Sequence, residues 1–380
     1  MTLALGGLPR RDLWLLPLVS FATMVVLALG AEFAARTIWP EQLVNACRLS
    51  DPAVGVRYQP NCSTTMKTPE GPWYIASYNN CGYRSATPCG PLAAGSRRIA
   101  LLGSSTSEGY LVEYTDTIAA RLAADLTRTC GAPVDVQNLG ALASFGPQLL
   151  IRMDEALRLK PTAVVLVVAP FDLEELASDP APNSERAGNP LSSSSMSFQK
   201  KMFEDIKDSR ALKMAQHFLF RNPSVYLPLY LRYGDKADFL RPPLTAKWQN
   251  RLQALDGIIA GMSDRARSNG VDFVVAFVPQ EAQVAMMAAG RTPPPRIDPT
   301  ALPTAIAEIA KRRGAQFVDS SIALRQHPAP ERLYYQVDGH LTGEGQPIVG
   351  AYIAHELAGT KSGPFGVCRG TIAASAEAAQ

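Results

Sequence analysis

Between Leu13 and Ala31 no charged side chain interrupts a run of Leu, Val, Ala, Phe and Met, and extending the run to Ala34 takes in only Glu32. A helix of that length spans about 30 Å, the thickness of a bilayer's hydrocarbon core. It has no amphipathic face, so a buried helix of a globular core fits it less well. Arg10 and Arg11 precede the run, while Glu32 and Arg36 after it roughly cancel. The positive-inside bias puts residues 1–12 in the cytoplasm, residues 13–34 in the membrane and the rest outside. Trp14 and Trp39 stand where interfacial aromatics sit. A cleaved signal peptide also fits, since Ala28 and Gly30 are small enough for cleavage before Ala31, but the apolar run is longer than a usual signal core.

Residues 35–96 are rich in Pro, Asn, Gly and Cys and predict an irregular leader. A regular alternation follows. Arg98–Leu102 is a short apolar run of the buried-strand kind and Ala163–Val168 a fully apolar one, and Val134–Asn138, Phe273–Val278 and Gln316–Val318 also read as strands. Between them lie helical patterns at Thr117–Thr129, Pro147–Leu159, Lys247–Ser268 and Pro303–Arg313, with a last one at Gln346–Leu357. Trp248, Leu252, Leu255, Ile259 and Met262 form the apolar stripe of the third, and Asn269-Gly270 signals its end. Strands alternating with helices predict an α/β fold, a three-layer αβα sandwich with a mostly parallel, doubly wound sheet. This domain is expected to fill residues 97–360, with an insertion at 178–245 and a flexible tail at 361–380. Ligands of such sheets bind at the carboxyl ends of the strands, here the loops after Leu102, Asn138, Val168 and Val278.

Composition narrows the class. Apolar residues make up 47% of the 380 positions, enough for a sizeable core, and a net charge of +3 without basic clusters argues against nucleic acid. Six cysteines in an exported chain suggest disulfides, and six allow fifteen pairings. Cys47, Cys62, Cys81 and Cys89 are expected to be oxidised and to pin the leader to the domain. A zinc site is the weaker alternative, as there is no CxxC pair and no clustered His. No metal or organic cofactor is expected.

Two places carry candidate chemistry. The loop Gly103-Ser104-Ser105-Thr106-Ser107-Glu108-Gly109 follows the first strand of the alternation. A serine there sits at a helix N-terminus, where backbone N–H groups favour developing negative charge. By itself such a cluster is more often a cap or an anion-binding loop. Asp338-Gly339-His340 precedes the last helix. A carboxylate two residues before an imidazole can fix its orientation and leave the other ring nitrogen free as a base. Of the four histidines, only His340 has an acid this close in a loop setting.

Taken together, residues 51–357 resemble the membrane-anchored SGNH/GDSL-type hydrolases of bacterial envelopes. The first block of that family is matched by Gly103-Ser104-Ser105 with Gly109, the second by Asn138-Leu139-Gly140 with Ala143, and the last by Asp338-Gly339-His340. Its third block falls on Ala169-Pro170-Phe171-Asp172. The stretch Asn80, Gly82, Tyr83 and Arg84 is similar to a segment preceding the first block in anchored members. The resemblance implies Ser105 as nucleophile, His340 as base and Asp338 as its orienting acid. It also implies that the backbone N–H groups of Ser105 and Ala143 hold the oxyanion, with Ser104, Phe171 and Asp172 lining the substrate side. Two departures stand out. Ser104 replaces the family's aspartate, and Phe171 replaces the asparagine that donates to the oxyanion.

The expected activity is that of a periplasmic, inner-membrane-anchored acyl esterase or O-acyltransferase, acting on ester groups of an envelope glycan or lipid. The competing reading is a catalytically degenerate relative that binds a glycan or docks on a membrane O-acyltransferase. A nucleotide-binding domain is disfavoured, because the loop lacks GxGxxG and Walker patterns.

Overall fold

In the structure, a computed structural model that describes residues 12–176 and 208–359 with Phe365, Gly366 and Cys368, the N-terminal run is one helix, α1 (Asp12–Ile38). From Trp14 to Ile38 its mean hydropathy is 2.1 and it is long and apolar enough to cross a membrane, a test that a signal sequence also passes.

The leader is more regular than its composition suggests. It forms two antiparallel hairpins, β1 (Arg48–Asp51) with β2 (Gly55–Tyr58), and β3 (Ser63–Lys67) with β4 (Trp73–Ser77). Asp51 closes the first by accepting from the N–H groups of Ala53 and Val54 at 2.8 and 3.1 Å. In the second, Thr64, Met66, Tyr74 and Ala76 face inward while Thr65, Trp73 and Ile75 face out, the two-residue period of a half-buried sheet. The expectation of an irregular leader is therefore corrected. Its strands are only four or five residues long, too short for their alternation to stand out from Pro- and Asn-rich flanks.

The disulfides pair Cys47 with Cys62, Cys81 with Cys89, and Cys130 with Cys368. The first two close loops inside the leader, so they do not pin it to the domain as expected. That attachment is made by packing and hydrogen bonds: Tyr58, Met66, Tyr74 and Tyr78 share a core with Tyr110, Leu111 and Tyr335. The third disulfide fastens the C-terminal segment, where Phe365 is fully buried under the Arg97 guanidinium. At those residues the expectation of a loose tail is corrected as well.

From β5 (Arg97–Leu102) onward the alternation forms one sheet. After the short α2 (Ser105–Glu108) come α3 (Ile118–Cys130), β6 (Val134–Asn138), α4 (Leu149–Arg158), β7 (Ala163–Val168) and α5 (Pro170–Leu176). Beyond residue 208 lie α6 (Arg210–Phe220), α7 (Pro223–Tyr230), α8 (Ala246–Ser268), β8 (Asp272–Phe277), α9 (Glu281–Met287), α10 (Ala301–Arg313), β9 (Gln316–Asp319), α11 (Ser321–Leu324) and α12 (Gly345–Gly359). The five strands are parallel in the order β6-β5-β7-β8-β9. Part of the expected insertion, residues 178–207, lies outside the described residues.

Successive side chains point to opposite faces of the sheet, so each apolar strand feeds two cores. Ala100, Leu102, Leu166 and Phe277 pack with Met153 of α4, Ile259 of α8 and Ile306 of α10. Ile99, Leu101, Val165 and Ala276 pack with Leu122 of α3 and Ile353 of α12. These make the three layers. Each fully buried Leu or Ile contributes about 2 kcal/mol of transfer free energy. Thr117 starts α3 by accepting from Ala120 N–H, and Thr245 starts α8 by accepting from Trp248 N–H.

Candidate active site

The turn off β5 is fixed by close contacts. Gly103 has φ +142°, and a Cβ there would lie 2.7 Å from the Val167 carbonyl. Asn138, at the end of β6, donates to the Ser107 carbonyl at 2.7 Å and accepts from Gly140 N–H at 3.0 Å. A Cβ on Gly140 would come within 2.1 Å of Ser107 Oγ, so only glycine fits there. From the leader, the buried Arg84 guanidinium donates to the carbonyls of Glu108, Gly109 and Val112. Asn138 and Val112 N–H reach the first two of these carbonyls only at 3.4 Å each, so Arg84 is the closer donor that ties the end of α2 to the leader.

The turn presents Ser105 to His340. Ser105 Oγ lies 2.7 Å from Nε2, and Nδ1 lies 2.5 Å from Asp338 Oδ1. A carboxylate only accepts, so Nδ1 carries the proton and Nε2 is free to take the serine's. Burial disfavours the imidazolium, but Asp338 outweighs it and holds the His340 pKa above its usual value. Burial likewise opposes ionisation of Asp338, and His340 overcomes it, leaving the carboxyl below its usual range. The pair is built to accept a proton and hold it.

Two aromatic rings flank the imidazole. Phe171, half-buried at the start of α5, has its centroid 5.5 Å from that of His340, and Tyr110 approaches edge-on at 5.2 Å. Asp172 is buried behind Phe171 and accepts from Ala169 N–H at 2.7 Å. Burial pushes its pKa up to about 7. The Ser104 hydroxyl lies near enough to bear on that carboxyl, yet has no hydrogen bond of regular geometry. Ala143 is exposed on the loop after β6 at φ +52°, a left-handed conformation that glycine adopts more readily.

Of the seven residues singled out from the sequence, Ser105, His340 and Asp338 are in direct contact, Phe171 lies against the imidazole and Ser104 beside Asp172, while Ala143 stands on the loop after β6. Glu108 and Tyr110 carried no assignment. Glu108 is fully buried, accepting from Tyr78 OH at 3.0 Å and Leu142 N–H at 2.9 Å, so it holds the loop that bears Ala143. Burial raises its pKa against the opposing effect of the Tyr58 hydroxyl and Arg84. Its partners lie 30 and 34 residues away, so no local pattern could have flagged it.

The family model of the GDSL-like lipase/acylhydrolase family matches residues 101–348. The chain belongs to this family. Its members are serine esterases and lipases, and the serine–histidine contact is the feature of this chain that matches them. Among solved structures, the lipase/acylhydrolase from Enterococcus faecalis is 15% identical over 69% of this chain and 96% of its own, with a TM-score of 0.37. The extracellular lipase from Streptomyces rimosus is 14% identical over 67% and 99%, with a TM-score of 0.36. The psychrotrophic esterase from Pseudoalteromonas is 11% identical over 68% and 94%, with a TM-score of 0.35. No curated protein matches the sequence.

Proposed function

We propose that this GDSL-family chain is a membrane-anchored acyl esterase or O-acyltransferase, working on the periplasmic face of a bacterial inner membrane on ester groups of an envelope glycan or lipid. The contact of Ser105 with His340, itself held by Asp338, carries this reading. Ser105 Oγ attacks the acyl carbon while its proton passes to His340 Nε2. Backbone N–H groups of Ser105 and Ala143 receive the oxyanion. As the tetrahedral intermediate collapses, His340 returns the proton to the departing alcohol. Water, or the hydroxyl of an acceptor, then releases the acyl group by the reverse sequence.

A cleft of about 430 Å³ is lined by apolar Leu43, Val44, Val56 and Leu142 and by polar Asn45, Arg48, Ser50 and Glu108, a mixed wall that suits a substrate with both polar and apolar parts. Tyr110 also lines it, and its ring meets that of His340. Labelling the full-length protein with a fluorophosphonate and mapping the adduct tests the mechanism. An adduct on Ser105 is expected, and an unlabelled Ser105 removes the catalytic reading. Reporter fusions after residue 60 test the orientation, where a periplasmic reporter is expected to be active and a cytoplasmic one silent.

One observation favours the second reading, a binding protein for a glycan or a membrane acyltransferase. Phe171 replaces an oxyanion donor with a ring beside the cleft, which suits stacking on a sugar face better than stabilising a charge.

A further inference from the structure

Glu70 sits in the turn between β3 and β4, and its side chain is only 3% exposed. A buried carboxylate is costly unless donors fill its lone pairs. Here both oxygens accept from Val337 N–H at 3.1 Å, one also accepts from Asp338 N–H at 3.0 Å, and the other meets His217 Nδ1 at 2.7 Å. The two amides belong to the loop that carries Asp338 and His340. That loop turns at Gly339, φ +86°, and is closed from within by Tyr335 N–H on the His340 carbonyl at 2.9 Å and Gly339 N–H on the Tyr335 carbonyl at 2.7 Å, while Glu70 holds the two amides before the turn from outside.

His217 in turn connects this point to α1. It lies on α6, whose first turn is capped by Glu32 of α1. Glu32 accepts from Ser209 Oγ at 2.7 Å and from the N–H groups of Arg210 and Ala211 at 3.0 Å each. Arg210 also pairs with Glu41. Trp39, just past α1, meets the His217 ring edge-on at 5.0 Å.

We propose that Glu70 is a positioning residue of the Asp338–His340 relay, and that α6, docked on the end of α1, completes its seat through His217. The proposal rests on the relay read above, in which Asp338 orients His340. It makes the leader and the end of the apolar helix part of the active-site scaffold. Small misplacements of such groups cost up to about 100-fold in rate.

Two readouts on the full-length protein in detergent micelles separate this proposal from the catalytic reading. The chain has only four histidines, so selective ¹⁵N labelling can follow the titration of His340 directly. Glu70→Gln should lower the His340 midpoint, because a displaced Asp338 supports the imidazolium less. Glu70→Asp, which keeps the charge but shortens the reach, should fall between Glu70→Gln and wild type. In an Asp338→Asn background the Glu70→Gln change should do little, as expected for residues acting through one contact. With p-nitrophenyl acetate, Glu70→Gln should reduce kcat by about 10- to 100-fold with KM within about twofold. An unmoved His340 midpoint in folded Glu70→Gln protein overturns the proposal. So does an equal shift with and without Asp338, which would make Glu70 a distant charge only. A shifted midpoint with no fluorophosphonate adduct on Ser105 upholds the positioning role and sinks the catalytic reading instead.

Discussion

The ring of Phe171 lies 5.5 Å from the imidazole of His340 and is tilted 55° to it. The resemblance of Ala169-Pro170-Phe171-Asp172 to the family's third block implies an asparagine amide at this position, aimed at the oxyanion. A phenyl ring cannot donate a hydrogen bond, and loss of one such donor costs about 100- to 1,000-fold in rate. Phe171→Asn is therefore expected to raise kcat for p-nitrophenyl acetate by up to about 100-fold, with little change in KM. Steady-state kinetics decide it. An unchanged or lower kcat would mean that another group already holds the oxyanion, or that the cleft serves binding.

Ser105 and His340 are expected to behave as one unit. Alanine at either position should remove nearly all esterase activity, and the double variant should be little worse than each single one. Ser104→Ala should be milder, since its hydroxyl faces Asp172 rather than the imidazole. Full activity in Ser105→Ala would reassign the nucleophile.

The acid limb of the kcat/KM profile should report His340. The base works only when neutral, so activity rises with pH through a pKa that Asp338 holds above the usual histidine value. Asp338→Asn removes that support. The limb should move to lower pH while the plateau falls by orders of magnitude, because the ring is no longer held in the productive tautomer. A limb that stays in place would separate the acid from the base.

Much of this architecture is legible in the sequence, for a physical reason. Residues 99–102 and 163–168 belong to inner strands buried on both faces, so they read as unbroken apolar runs, while the edge strand at 134–138 shows only Val134 and Val136 between polar positions. The Ser105 turn and the Asp338-Gly339-His340 stretch are local motifs, and the sheet topology alone predicts that strand ends come together. The leader's hairpins are not legible, because Thr64–Met66 and Tyr74–Ala76 offer too few positions to establish a period. Nor are Glu70, Arg84 and Glu108 as supports. Glu70 meets a loop 267 residues away, and its significance comes only from the fold that joins them. The cysteine pairing was open for the same reason, with Cys130 and Cys368 separated by 238 residues.

That long-range disulfide should matter more for stability than the two inside the leader. Closing a loop of this length restricts the unfolded chain by up to about 5 kcal/mol on the entropic account, with about 2–4 kcal/mol typical of measured disulfides. Non-reducing peptide mapping should recover Cys47–Cys62, Cys81–Cys89 and Cys130–Cys368. The double change Cys130→Ser with Cys368→Ser should lower Tm clearly, measured by calorimetry under oxidising conditions. A Tm within a degree or so of wild type would show that Phe365 and its surroundings hold the segment unaided.

Asp172 offers a test of the buried ground behind the relay. Its carboxyl has a pKa pushed up to about 7 by burial, against an ordinary 3.8. In the pH range between those values the folded protein keeps the proton and the unfolded chain does not. Folding then takes up a proton, so this group's contribution to stability is fully present below about pH 4 and is lost as pH rises through about 7. The whole shift corresponds to at most about 4 kcal/mol. Asp172→Asn cannot ionise, and its amide oxygen can still accept from Ala169 N–H. The variant should therefore gain on wild type as pH rises, with a Tm difference more favourable at pH 7.5 than at pH 4.5. Thermal unfolding of both proteins across that range measures it. If wild type instead gains on the variant with rising pH, Asp172 is ionised in the fold and the site holds a second carboxylate charge beside His340.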